Sequence, residues 1–598
     1  MIGLLISTTL LSKSDPMSAE VQRLLPPDAQ VLFPLGPGSL TPSGLSDAMK
    51  TGLASESSSL SGSRLQVQVL RKGANQYEVQ VLSGPSLLPV KKGQVLLMAF
   101  DMRSPEGGRE SGEGTWYAGV QRSAPPWDGV MSSDGPASKD WRRFYISGVA
   151  DKDYDKGALQ ATFHIAQQPQ TIEIGGFACF LMAEGTDRSK LPVTKVTYRG
   201  QEPNAPWRKR AAEMIDKHRK APLTIKVTRG GKPVSGAIVE VRQTKSSYPW
   251  GTFLDLDPTE STPASARYRD LVPKLFNRVT VPIYWADWGW ENETTRKGYF
   301  NRMAWARENK LPMKAHTLVW PSMQWSPSRL RPLLEHPDQL RKTIMDEAQA
   351  RFDQLKDQPF VNMDVLNELK TEQEFGKIAG FSFYSDLFKA ARRSFPKADL
   401  VYNDYGIVSG GGNNVGAQQE VKRWIRRLRA DGAPLTKLGF QGHFGEALTP
   451  PERVWEILDE FHGEFKLPIE VTEFDVDTRD EAAQAAYTRD FALAWFAHPA
   501  TSGFTMWGFW EGAHWKPNGA MYRKDWQPKP NLAAWTELTQ ETLRTRAKLK
   551  TDAKGEVNLR AFHGDYELYA ALGQARGAKK VQHGPVGTTL IIDLAHVK

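Results

Sequence analysis

The sequence predicts an α/β protein: a (β/α)8 TIM barrel preceded by a β-sandwich of jelly-roll type and followed by a small C-terminal β module. Two observations carry the barrel. From Tyr248 onward, short apolar strands begin near residues 248, 276, 312, 361, 399, 437, 468 and 503. Their mean interval of about 36 residues holds a strand, a helix and two loops. A doubly wound sheet is the competing architecture, but it gives no reason for eight near-equal units. The third observation is a change of period: before the barrel, apolar residues alternate with polar ones, as in Val67/Val69, Val79/Val81 and Leu159/Ala161/Phe163/Ile165. Period-2 segments separated by Gly, Pro and Asp clusters read as a sandwich.

The elements follow in order. Residues 1–24 hold an apolar start (Ile2, Leu4, Leu5, Ile6, Leu10, Leu11) too short to span a ~30 Å hydrocarbon core, with a small-residue stretch at Pro16–Ala19. It reads as a weak export signal, so a secreted or periplasmic protein is expected. A disordered start is the alternative. The sandwich covers 25–190, with a Gly/Ser/Pro-rich loop signal over 36–63. A linker and helix occupy 191–221 and a β-hairpin 222–247. The barrel covers 248–545, and the C-terminal β module 546–598. Within the barrel, Thr449-Pro450-Pro451-Glu452 reads as a capping box opening a helix with Trp455, Leu458 and Phe461 on one face.

Composition narrows the function classes. The 598 residues carry 77 Lys and Arg against 68 Asp and Glu, a net charge of +9 without a like-charge tail. That balance permits a polyanionic partner without arguing for one. The basic run Lys422–Arg429 carries Trp424, Ile425 and Leu428 at helical spacing, so it reads as an outer barrel helix, and no nucleic-acid partner is expected. A single cysteine, Cys179, excludes a disulfide framework and multi-thiolate metal sites. No cofactor and no metal are expected, nor a membrane span, and the chain is expected to act as a monomer. The surplus is aromatic: 19 Trp, several crowded in the C-terminal third.

Chemistry in such a barrel lies at the C-terminal strand ends. There stand His316 and Trp320 after the third strand, and Asn367 and Glu368 after the fourth. Asn403-Asp404-Tyr405 follow the fifth, Gln441 and His443 the sixth, Glu473 and Asp475 the seventh, and Trp507 and Trp515 the eighth. The pair that carries chemistry is Glu368 and Glu473. Two carboxylates converging over the barrel mouth suit glycoside cleavage, one protonated near neutral pH and the other ionised. His443 is placed to hydrogen-bond Glu473, and Asp475 to orient that histidine. Structural salt bridges are the plainer alternative for both glutamates, and a core position for each histidine.

His-Thr-Leu-Val-Trp at 316–320, Asn-Glu at 367–368, Asn-Asp-Tyr at 403–405, Gln-Gly-His at 441–443, Thr-Glu-Phe-Asp at 472–475 and the Trp507/Trp515 pair come in one order. Together they resemble glycoside hydrolase family 10, the retaining endo-β-1,4-xylanases, over roughly 222–545. The resemblance implies a polysaccharide substrate, xylan or a related β-glycan, with Glu368 as acid/base and Glu473 as nucleophile. It implies that His316, Asn367, Gln441 and His443 hold the sugar at the cleavage point, Asn367 at its 2-hydroxyl. Trp320, Trp507 and Trp515 would give stacking faces and a lid, and Tyr405 a further substrate contact. One stretch departs from the family: Val281–Trp288 carries aromatics where the family places Glu-Asn and a Lys. Tyr284 and Trp285 are therefore expected at a distal subsite, by stacking. Pro321 also stands where the family commonly has His. The sandwich resembles the jelly-roll carbohydrate-binding modules found beside such barrels, with Trp116, Tyr117 and Trp127 as candidate platforms.

Overall fold

The computed structural model describes residues 16–36, 39–43, 65–73, 75–106, 114–137, 141–412, 414–445 and 447–596. The apolar start up to residue 15 and most of the 36–63 stretch lie outside them. The chain divides into two compact units, Met1–Val196 and Thr197–Lys598.

The first unit is a β-sandwich. One sheet orders Gln30–Val31, Gln170–Glu184, Gln94–Glu106 and Arg142–Val149, with Leu65–Val69 also pairing the long Gln170–Glu184 strand. The other orders Leu40–Ser43, Gln80–Ser83, Leu159–His164, Gly114–Arg122 and Gly129–Ala137. Alternation explains both: Met98, Phe100 and Met102 from one sheet meet Trp116, Ala118, Ala161 and Phe163 from the other in one core. Phe100 stacks on Phe144 at 5.3 Å and meets Trp116 edge-on at the same distance. Trp116, offered above as a platform, is thus a core residue, 2% exposed; its place on the inward face of its strand, in step with Ala118 and Val120, puts it there. Cys179 is buried in the same core, and burial pushes its thiol up.

In the second unit, helix Pro206–Arg219 ends on Arg219, whose guanidinium donates to the carbonyls of Phe496, His498 and Thr501. The chain then enters a two-sheet module. Lys220–Arg229 pairs antiparallel with Glu556–Phe562 and parallel with Thr588–Asp593, while Ile238–Ser246 pairs with Arg546–Lys550 and Gly564–Leu572. The hairpin lead-in and the C-terminal module, expected as two pieces, are the two halves of one sandwich. Its core joins Leu223, Ile225 and Val239 to Leu568, Leu590 and Ile592.

Between these halves the barrel closes. Its strands are Trp250–Phe253, Arg278–Pro282, Met313–His316, Phe360–Asn367, Asp399–Asp404, Lys437–Phe440, Ile469–Val476 and Thr501–Met506. Each pairs in parallel with the next; the last pairs with the first, and the sixth with the seventh. The barrel interior is charged. Arg278 pairs with Glu470, Lys314 with Asp364 at 2.9 Å, and Asn362 donates to Glu470 at 2.8 Å. Buried charge persists only when paired, and here each has a partner. Helix Pro451–Phe465 buries Trp455, Leu458 and Phe461 as expected, but no capping box opens it. The Thr449 hydroxyl lies two residues before the helix and donates to the Val408 carbonyl instead. No helix among the described residues is long and apolar enough to cross a membrane.

Candidate active site

Parallel strands place all their C-terminal ends on one rim, and a cleft of about 520 Å³ opens there. Glu368, Glu473, His316, Gln441, His443, Trp320, Tyr405, Trp507, Trp515 and Tyr284 line it. Ten residues singled out from sequence, from seven different strand ends, thus meet in one place.

Glu368 ends the fourth strand with φ at 60°, left-handed backbone that costs a non-glycine residue about 1–2 kcal/mol. Its N–H donates to the Asn403 carbonyl at 2.9 Å, which holds the turn. The carboxyl then receives Gln441 Nε2 at 2.7 Å on one oxygen and Trp320 Nε1 at 3.1 Å on the other. Burial pushes its pKa up to about 7; the Gln441 hydrogen bond opposes this, and the charges of Glu473 and Asp404 add to it. At neutral pH the group is poised between acid and base.

Glu473 has a different setting. Asn403 Nδ2 donates to its Oε1 at 2.6 Å, and His443 Nε2 lies 3.1 Å from its Oε2. His443 Nδ1 lies 3.0 Å from Asp475 Oδ2, which also receives Trp515 Nε1 at 2.8 Å. Burial disfavours the charged imidazole, but Asp475 and Glu473 outweigh it and hold the pKa up at about 9. Near pH 7 His443 is therefore an imidazolium whose two N–H groups donate to Glu473 and Asp475. On the other side, His316 Nδ1 sits 2.8 Å from Asp364 and 3.9 Å from Glu473 Oε1. The two glutamates are linked through Gln441: its carbonyl accepts the Glu473 N–H at 2.8 Å while its side chain donates to Glu368.

A carboxyl raised in the folded state destabilises the fold as pH rises. Between about 4.5 and 7 the native state holds a proton on Glu368 that the unfolded chain has lost, so stability falls through that window. Glu368→Gln removes this term. Its thermal midpoint relative to wild type is expected to rise between pH 5 and pH 8 and then level off. The change is about 3 kcal/mol across the window. A pH-independent difference between the two melting curves would show that Glu368 is not raised.

Residues 263–538 match the family model described as glycosyl hydrolase family 10. The barrel is a family 10 glycosyl hydrolase domain. Similar proteins include the anti-sigma-I factor RsgI6 of Acetivibrio thermocellus, 28% identical over 381 residues that cover 60% of this chain and 46% of that protein. Endo-1,4-beta-xylanase 2 of Arabidopsis thaliana is 24% identical over 375 residues, 60% of this chain and 33% of the relative. Endo-1,4-beta-xylanase B of Cellvibrio japonicus is 28% identical over 280 residues, 45% of this chain and 43% of the relative. The chain thus spans less than half the length of each of these relatives.

The aromatic furnishing of the family 10 barrel differs in part from expectation. Trp320 stacks on Trp325 at 3.9 Å with planes 6° apart, and Trp507 stacks on Phe253 at 4.3 Å. Tyr284 meets Trp288 at 5.3 Å, and Trp288 is half exposed at the mouth. Trp285 does not reach the cleft. It is 3% exposed, its N–H donates to Glu291, and the Arg351 guanidinium lies 4.7 Å over its ring. The reason is a tight turn after the second strand. The Trp290 N–H donates to the Tyr284 carbonyl, and a Cβ at Gly289 would meet that same oxygen at 2.4 Å. The turn sends the rings of Tyr284 and Trp288 to the rim and folds Trp285 against the barrel flank. Asn367 also stands behind the cleft wall, buried, with its side-chain Oδ1 accepting from Asn403 Nδ2 at 2.9 Å. Asn403, Trp325 and Lys516 were not among the expected site residues. Asn403 had a signal, since it is a strand-end amide in register with Asn367. Trp325 belongs to a short helix past the third strand and had none.

Proposed function

We propose that the barrel cleaves internal β-1,4 linkages of xylan with retention of configuration. The observation that carries the reading is the unequal pair of carboxyls: Glu368 raised to about 7 by burial, facing Glu473 between an amide donor and an imidazolium. In the first step the Glu473 carboxylate attacks the anomeric carbon while Glu368 gives its proton to the departing glycosidic oxygen. The bond to the leaving sugar breaks and a glycosyl ester on Glu473 forms. Water then attacks the same carbon, yields its proton to Glu368, and frees Glu473. Gln441 and Trp320 aim the acid; Asn403 and His443 aim the nucleophile. Family membership and relatives named as endo-1,4-beta-xylanases support the substrate class.

The first unit is read as a carbohydrate-binding module, with exposed Trp127 as a platform, and the protein as exported to meet its polymer. A second reading keeps the chemistry but changes the β-glycan. It is favoured by Tyr284 and Trp288, which offer faces rather than charged donors to the distal sugar. The test is product chromatography after incubation with glucuronoarabinoxylan and mixed-linkage β-glucan side by side, with Glu473→Ala as blank. Xylo-oligosaccharides from wild type alone are expected. Products only from the glucan would replace xylan, and none from either polymer would leave a glycan-binding barrel.

A further inference from the structure

The opposite end of the barrel carries a second cleft, of about 420 Å³, that the chemistry above does not use. It lies where the first three barrel strands begin. The turns at 273–277 and 309–311 and the barrel strand starting at Trp250 form one side; residues 243–245 and 539–546 of the sandwich side form the other. Lys245, Lys274, Lys310, Arg544 and Arg546 line it, and no acidic side chain does among the described residues. Lys274 pairs with Asp270. The other four cations have no carboxylate within ion-pair distance among the described residues, although Asp565 stands opposite Lys245 in the strand register.

Two buried donors add a separate observation. The Trp250 indole N–H, on a side chain 2% exposed, has no acceptor, and Arg544 Nη1 has none either. Arg544 spends its Nε on the Thr539 carbonyl at 3.0 Å. Burial, and then the charge of Arg546, both disfavour its guanidinium, so an anion in the cleft would relieve it.

We propose that this basal cleft binds the carboxylates of a uronic-acid-bearing polysaccharide. The donors are side chains drawn from five separate stretches of chain and spread along an open cleft. That suits acidic groups spaced along a polymer. A compact phosphate is more often cradled by consecutive backbone N–H groups at a helix N-terminus. The site stands apart from Glu368 and Glu473, so it would hold a decorated chain without competing for the catalytic cleft. The proposal rests on the glycan reading of the barrel only for the choice of polymer.

Native affinity electrophoresis of the full chain, carrying Glu473→Ala so that no polymer is consumed, tests it. Glucuronoxylan is compared with the same polymer after its carboxyls are reduced to alcohols. Retardation by the acidic polymer is expected to weaken at least about fivefold with Arg544→Glu/Arg546→Glu, the scale of lost exposed ion pairs. Lys310→Glu, an exposed single change, guards against misfolding of the double variant and should weaken it in the same direction. Carboxyl reduction or high salt should abolish the difference between variants and parent. Equal retardation of parent and variants would overturn the proposal, as would equal retardation by both polymers. So would displacement of neither polymer alongside tight binding of inorganic phosphate that the variants lose. Hydrolysis plays no part in this readout: failure of wild type to cleave any xylan would overturn the function proposed above and leave this result to be read by itself.

Discussion

Glu473→Ala is expected to lower kcat on xylan by on the order of 10⁴-fold or more, because it deletes the atom that forms the new bond. The fold should survive. Glu473 is a rim residue whose partners Asn403 and His443 keep other contacts: Asn403 with Asn367 and Thr472, and His443 with Asp475. Circular dichroism and a melting curve would confirm this. Azide supplies the decisive control. With an activated aryl β-glycoside, a small anion can enter the space vacated by the carboxylate and attack the anomeric carbon from the same side. The aryl group leaves, and the product is the α-glycosyl azide. Rescue by azide with that configuration assigns Glu473 as the nucleophile. Rescue of Glu368→Ala instead, with Glu473→Ala unrescued, would exchange the two roles or remove them.

The second large effect concerns Glu368. An acid matters in proportion to how poorly the leaving group departs unaided, and general acid catalysis contributes about 10²–10⁴-fold. Glu368→Ala is therefore expected to cost that much on xylan and far less on a dinitrophenyl glycoside. Equal losses on both would remove Glu368 from the acid role. The pH profile follows from the same residue. Glu368 must be protonated to act, so kcat/KM on xylan should fall as pH rises through about 7. With the activated aryl substrate that limb should disappear, and the next should lie near 9, where His443 loses the proton it directs at Glu473. His443 contributes stability that is present below about 6.5 and lost as pH rises through about 9, so the fold weakens over the same alkaline range.

Much of this was legible because it is local. Each barrel strand announces itself by a short apolar run, and its chemistry-bearing residue lies just past the end, so position along the chain gives position on the rim. Glu368, Glu473, His443 and Asp475 follow from that rule alone. What was not legible depends on side-chain direction or on distant partners. Tyr284 and Trp285 are adjacent in sequence, yet one faces the cleft and the other packs under Arg351, a choice made by the turn at Gly289. Trp116 could be read as platform or core until its strand was paired. The joining of residues 220–246 with 546–596 rests on pairs more than 300 residues apart, such as Thr224 with Asn558, and no local signal marks them. Asn403 shows the middle case. It was visible at a strand end, but its donation to Glu473 depends on how far the fifth strand runs relative to the fourth and seventh.

The mechanism turns on a covalent sugar ester formed on Glu473. The most direct measurement is intact-mass analysis after incubation with a 2-deoxy-2-fluoro-xylobioside bearing an activated leaving group, followed by peptide mapping. The fluorine slows both attack and release, and the activated leaving group restores the attack alone, so one added disaccharide mass is expected, on the peptide containing Glu473 and absent from Glu473→Ala. No adduct on an enzyme that still cleaves xylan, or an adduct on any other residue, would contradict it.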